Sequence, residues 1–196
     1  NMERPPRLAP FIMRRCLLFI ALLPLTAHAA HAALDYRVDI VAPDNLKALL
    51  EANLDLTQLR EDEALRDSDL QAMMSSTPDE ARKLLETEGY FSPQVSVQQD
   101  GNTVKVTVVP GEPVMVYDVN VTFTGPVRQE ADYSQFIRTA LEEWLLPIGG
   151  QFRQDDWDSS KKGVLRPLLL QRFPLARITE ARADIDPASQ RAELNV

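Results

Sequence analysis

GYFSPQVSV, residues 89–97, decides how this chain is read. A glycine, two adjacent aromatics and a proline stand between a helical run, PDEARKLLETE at 78–88, and a stretch of alternating valines. Glycine enters the left-handed backbone region at little cost and commonly ends a helix. Proline has no N–H, so it opens strands where no donor is needed. The stretch therefore reads as a helix-to-strand junction: Gly89 stops the helix, Tyr90 and Phe91 drive its end into the core between helices and sheet, and Pro93 starts a strand. None of these residues is a candidate catalyst.

Downstream, Val95 and Val97 share one face, Asp100-Gly101-Asn102 supplies a hairpin turn, and Val104, Val106 and Val108 alternate with Thr103, Lys105 and Thr107 in a second strand. Upstream, Thr77 is expected as the N-cap of the helix, with Pro78 at its first position and Glu80 completing a capping box. Ala81, Leu84 and Leu85 form its apolar face, and Met73-Met74 reads as core filler. A polar, acidic connection, TQLREDEALRDSD at 57–69, separates it from an earlier helix that starts at Asp44 or Asn45 and carries Leu46, Leu49, Leu50 and Leu54. Before that, Tyr36, Val38 and Ile40 alternate in a short strand closed by Pro43. The order is strand, helix, helix, strand, strand.

The same order then returns. Tyr117, Val119, Val121 and Phe123 alternate in a strand ended by Gly125-Pro126, and Tyr133, Phe136, Ile137, Ala140, Leu141 and Trp144 form one helical stripe broken by Pro147 and Gly149-Gly150. A second helix starts in the acidic stretch at Asp155, Asp156 and Asp158 and carries Val164, Leu165 and Leu168, with Pro167 as an interruption. A strand from about Leu175 to Ile185 has apolar residues on both parities, which predicts a bulge there. A turn at Asp186-Pro187 and a strand presenting Ala192, Leu194 and Val196 complete the copy. The expected fold class is α+β: two tandem β-α-α-β-β units, each a small sheet with one face covered by two helices. Pro110, Gly111, Glu112 and Pro113 form the joint, restrained because each proline fixes its own φ and biases the residue before it.

Composition narrows the function classes. The chain has 196 residues, 44% of them hydrophobic, and a formal charge of −8, which argues against a nucleic-acid partner because no Lys/Arg cluster is present to displace counterions. Arg14 and Arg15 precede the apolar run CLLFIALLPL, and Ala27-His28-Ala29 and Ala30-His31-Ala32 follow it, the layout of a cleavable export signal. The run is short for a retained membrane anchor, and Met13 is a candidate translation start. Cleavage would remove Cys16, the only cysteine, and one or both histidines. That excludes Cys/His nucleophiles, Ser/His/Asp triads and the usual zinc sites, so no enzyme activity and no cofactor is expected.

The exported β-α-α-β-β tandem, the Gly-Tyr-Phe helix end and the Val-Thr-Val-Val-Pro-Gly-Glu-Pro-Val run at 106–114 resemble POTRA domains of the outer-membrane assembly superfamily, and within it the translocation-and-assembly-module branch. The resemblance covers Leu34 to Val196; the second unit departs from it at Gln171-Arg172-Phe173-Pro174, which lacks the Gly-Tyr-Phe form. It implies a leader over 1–32, one POTRA domain over 33–111 and a second over 112–196, each with a three-stranded mixed sheet. A third such domain and a membrane β-barrel would lie beyond Val196. It also implies a periplasmic role in which unfolded outer-membrane or autotransporter clients, and an inner-membrane-anchored TamB-like partner, bind by strand addition to an exposed sheet edge. That edge would be Gln94, Val95, Ser96, Val97, Gln98 and Gln99, and in the second unit Ala176 to Asp184. The same edges could instead be merely solvated. A POTRA region of a two-partner secretion transporter or of BamA is the nearest alternative, and a periplasmic enzyme the distant one.

Other features read as structural. Asp155, Asp156 and Asp158 lack the glycine and distal glutamate of a calcium loop and suit an acidic first helical turn better. Glu61, Asp62 and Glu63 read as a solvated loop, and Trp144 and Trp157 as packing residues.

Overall fold

The computed structural model describes residues 34–196, so the expected leader at 1–32, with Cys16 and both histidines, lies outside the described residues. The first unit runs β1 (Arg37–Val41), α1 (Asp44–Asn53), α2 (Asp55–Gln58), α3 (Asp67–Thr87), β2 (Gln94–Asp100) and β3 (Thr103–Val109). The second runs β4 (Met115–Asn120), a 3-10 turn (Gly125–Gln129), α4 (Tyr133–Leu141), α5 (Gln154–Gln171), β5 (Arg182–Asp186) and β6 (Arg191–Asn195). The fold class is α+β, with two three-stranded mixed sheets in the orders β1-β3-β2 and β4-β6-β5. In each, the last strand is central, parallel to the first and antiparallel to the second.

The period-2 valines of β3 bury Val104, Val106 and Val108 against the helices, joined by Ile40 of β1 and by Tyr36 just before that strand. Leu46, Leu50, Leu54, Leu56, Leu70 and Leu85 close this core from the helical side. Each fully buried leucine contributes about 2 kcal/mol relative to exposure. The Tyr36 hydroxyl reaches across to donate to the Leu56 carbonyl at 2.8 Å, so the ring is buried without an unpaired polar tip.

The first unit corrects one expectation. Thr77 is no N-cap: α3 begins at Asp67 and runs through Pro78 without a break. Leu70, Met73, Thr77, Ala81 and Leu85 are its buried residues, a spacing that holds on both sides of the proline. Thr77 turns its hydroxyl back to the Met73 carbonyl at 2.7 Å. The reciprocal half of a capping box sits at the true start, where Asp69 accepts the Arg66 backbone N–H at 3.0 Å. Burial of a continuous apolar stripe outweighs the one hydrogen bond that Pro78 forfeits. Glu80 caps the short α2 instead, accepting the Asp55 N–H at 3.0 Å.

The second unit corrects three more. The alternation expected at Tyr117, Val119, Val121 and Phe123 is interrupted, because the β4/β6 register shifts between Val116 and Asp118. Val114 and Val116 point inward before the shift, while Tyr117 is 53% exposed, its ring 4.4 Å under the Arg191 guanidinium. The bulge thus lies in β4 and not in the strand expected from Leu175, and β4 stops at Asn120. Pro167 is accommodated inside α5, as Pro78 is in α3. The strand expected from about Leu175 starts only at Arg182, and Leu175 itself is 92% exposed. Trp144 and Trp157 pack edge-to-face, 6.0 Å apart, as packing residues.

Candidate functional site: an edge strand and the joint behind it

β2 is an edge strand. It pairs with β3 alone, from Gln94↔Val109 to Asp100↔Thr103, around the Gly101-Asn102 turn. A two-residue turn makes its flanking pair a hydrogen-bonded one, and antiparallel pairs then alternate. Gln94, Ser96, Gln98 and Asp100 therefore spend their main-chain groups on β3. The other side of β3 agrees, since Asn102 O accepts from Arg37 of β1 at 2.7 Å and puts the opposite parity of β3 toward β1. The N–H and C=O of Val95, Val97 and Gln99 face away from the sheet, and among the described residues no other main-chain group bonds to them.

Side chains follow the pleat. Val95 and Val97 are half-buried against the first core, whereas Gln94, Ser96 and Gln98 stand on the open face. Gln99 is tied down at both ends of its amide, accepting from Gln71 of α3 at 3.0 Å and donating to the Gly101 carbonyl at 3.2 Å. Residues 94–99 carry no charge and no proline, the usual devices that keep an edge from pairing. The residues expected to form the client-binding edge, Gln94 to Gln99, all lie in this strand.

What holds β2 in place was only half legible. Gly89 has φ +88, as a left-handed helix end requires, and a Cβ there would lie 2.2 Å from the Phe152 carbonyl oxygen. The two aromatics part company: Tyr90 packs on the first core, but Phe91 joins the second, its ring 6.3 Å from that of Phe152. The expectation that both enter one core is corrected: the two neighbouring rings are divided between the two cores. Val114 N–H donates to the Gly89 carbonyl at 2.8 Å, and Gln151 donates its side-chain N–H to the Glu88 carbonyl at 2.7 Å. Arg153 pairs with the mostly buried Glu88 carboxylate at 2.7 Å.

The joint at Pro110, Gly111, Glu112 and Pro113 runs across this junction, with Gly111 at φ +74 beside the Ser92 carbonyl. The segment Gly149 to Arg153 was missed, read from sequence only as a helix breaker. It bonds along β4 through Gly149 N–H to Val116 O (2.7 Å), Val116 N–H to Gly150 O (2.8 Å) and Phe152 N–H to Val114 O (2.9 Å). A signal existed in the alternating Phe152 that follows the glycine pair. The second expected edge, Ala176 to Asp184, is corrected: only its last residues lie in β5, where Arg182 and Asp184 pair with each other at 2.6 Å. Asp155 and Asp156 occupy the first turn of α5, and Lys161 and Gln154 hold the Asp158 carboxyl below its usual range. Among the described residues no helix is long and apolar enough to cross a membrane.

No protein-family model matches the chain. Among solved structures it is similar to POTRA3-5 of Haemophilus influenzae BamA, at 18% identity over 82% of this chain and 59% of that one, with a TM-score of 0.40. It is similar to POTRA1-2 of the periplasmic domain of Omp85 from Anabaena, at 14% identity over 83% and 93%, with a TM-score of 0.41. For CdiB from Escherichia coli the values are 12%, 89% and 29%, and a TM-score of 0.37. The chain thus spans less than two thirds of the BamA fragment and of CdiB.

Proposed function

We propose that this chain is the periplasmic POTRA arm of an outer-membrane protein assembly and translocation factor of the TamA type, a binding and scaffolding module with no catalytic role. The observation that carries the reading is the uncharged edge of β2, whose Val95, Val97 and Gln99 main-chain groups face outward. Unfolded outer-membrane or autotransporter clients add a strand there through backbone hydrogen bonds, which makes recognition independent of client sequence. A TamB-like partner anchored in the inner membrane is the second ligand of the arm. In the full protein, a leader over 1–32 directs export, the POTRA domains span 33–111 and 112–196, and a further POTRA domain and an outer-membrane barrel follow.

Photo-crosslinking tests this. Probes at Gln94, Val95 and Gln98 are expected to capture an unfolded outer-membrane protein, while probes at Lys83 and Glu86 on the exposed side of α3 stay silent. Labelling confined to the α3 positions would sink the proposal.

A further inference from the structure

We infer that β2 is a self-complementary edge, through which two copies of this chain join antiparallel about a two-fold axis at Val97 and close each other's sheet. The strand runs from Gln94 to Asp100, so Val97 is its midpoint. Its outward main-chain groups, those of Val95, Val97 and Gln99, are placed symmetrically about the same residue. In an antiparallel ladder, residues that turn their N–H and C=O toward each other exchange both bonds. Val97 set opposite its own copy puts Val95 opposite Gln99 and Gln99 opposite Val95, so every outward group finds a partner. Neighbouring registers do worse. An axis at Ser96 sets Gln99 opposite Pro93, which has no N–H, and an axis at Gln98 sets Val95 opposite Gly101 in the turn.

The side chains agree with that register. On the open face Gln94 meets Asp100 and Ser96 meets Gln98, an amide donor against a carboxylate and a hydroxyl against an amide. On the helix face Val97 meets Val97 of the second copy, and Val95 meets Gln99. No like charges oppose each other across the axis. The corresponding edge of the second unit differs: β5 runs from Arg182 to Asp186, and a two-fold axis at its midpoint would set Asp184 against Asp184. Only the first unit therefore has an edge fitted to its own copy. Pairing spends the groups that a client strand would use, so it withholds the edge until a client competes for it. That consequence rests on the client role proposed above; the pairing itself does not.

Disulfide trapping tests it on residues 34–196, which hold both sheets with their cores and contain no cysteine. Opposed Val97 residues would hold their Cα atoms about 5.5 Å apart, within reach of a disulfide. Val97→Cys is expected to give a covalent dimer on mild oxidation, whereas Gln98→Cys, which lies opposite Ser96 and not itself, stays reduced. Sedimentation of the unsubstituted chain should show a concentration-dependent balance of monomer and dimer. Added salt should favour the dimer, since each copy is acidic, with a formal charge of −8 over the whole chain. Ser96→Lys with Gln98→Glu in one chain brings opposite charges together on both sides of the axis and should tighten the dimer about tenfold; Ser96→Lys with Gln98→Lys should loosen it by a similar factor. Equal trapping at 97 and 98, or a monomer at every concentration up to the solubility limit, would overturn the pairing. Client capture at β2 by a chain that stays monomeric would do the same and leave the client role standing, whereas a dimer trapped through Val97 that no client disturbs would support the pairing and remove that role.

Discussion

Gly89 answers two demands at once, a left-handed φ and a carbonyl oxygen 2.2 Å from where a Cβ would sit. Gly101 answers only the first, with φ +56 and open space around it. Gly101→Ala is therefore expected to cost about 1 kcal/mol in urea unfolding and Gly89→Ala about 3 kcal/mol, the difference being the clash with Phe152. Similar losses for the two would remove close approach as a cause. Glu80 makes a second residue-scale case. Burial raises its carboxyl pKa, the Asp55 N–H pulling the other way, and its Oε2 is buried with no partner. The acid is neutral in both folded and unfolded chains below the ordinary carboxylate range, and costs nothing there. As pH rises through the raised value the folded state must bury a charge, and stability declines. Glu80→Gln keeps an acceptor for Asp55 and removes the charge, so its melting temperature should match the parent in acid and exceed it at neutral pH. Glu80→Ala loses the cap and should cost about 1 kcal/mol.

At the scale of the element, the parity of β2 makes a sharp contrast. Gln98 spends its N–H on β3, whereas Gln99 directs its own outward. Gln98→Pro should unfold the edge, seen as lost stability in denaturant titration. Gln99→Pro should leave the sheet standing and abolish strand addition, measured as lost crosslinking of an unfolded client. If both bind alike, edge pairing is not the mode of recognition. The same elements explain how much was legible in advance. β2 and β3 were readable because Val95, Val97, Val104, Val106 and Val108 keep strict alternation around a two-residue turn. The start of α3 was not, since a Thr-Pro-x-Glu signature imitates a helix start, while the real evidence, Leu70 and Met73 in phase with Ala81 and Leu85, lies across the proline. The β4 bulge was invisible because local alternation from Tyr117 to Phe123 fits a regular strand, and only pairing with β6 reveals the shift. Long-range pairing also decided the fate of 175–181, where Leu175, Ala176 and Ile178 line a groove instead of a ladder.

At the scale of the whole molecule, the two sheets have separate cores, yet the chain between them is anything but a free linker. Phe91 belongs by sequence to the first unit and by packing to the second. Phe91→Ala is expected to weaken the second unit, observed as an earlier loss of Trp144 and Trp157 fluorescence, and to widen the spread of inter-unit orientations in residual dipolar couplings. Unchanged couplings would mean that the hydrogen bonds from Val114 and Gln151 suffice. Mechanically, this clamp grips α3 at its very end. With 21 residues the helix is about 30 Å long, so a rotation of about 10° at Glu88 and Gly89 would sweep its far end by about 5 Å. The first unit is thus a pointer whose bearing is set by one carboxylate, one glycine and the short segment around Phe152, and small changes there re-aim every residue of the β2 edge together.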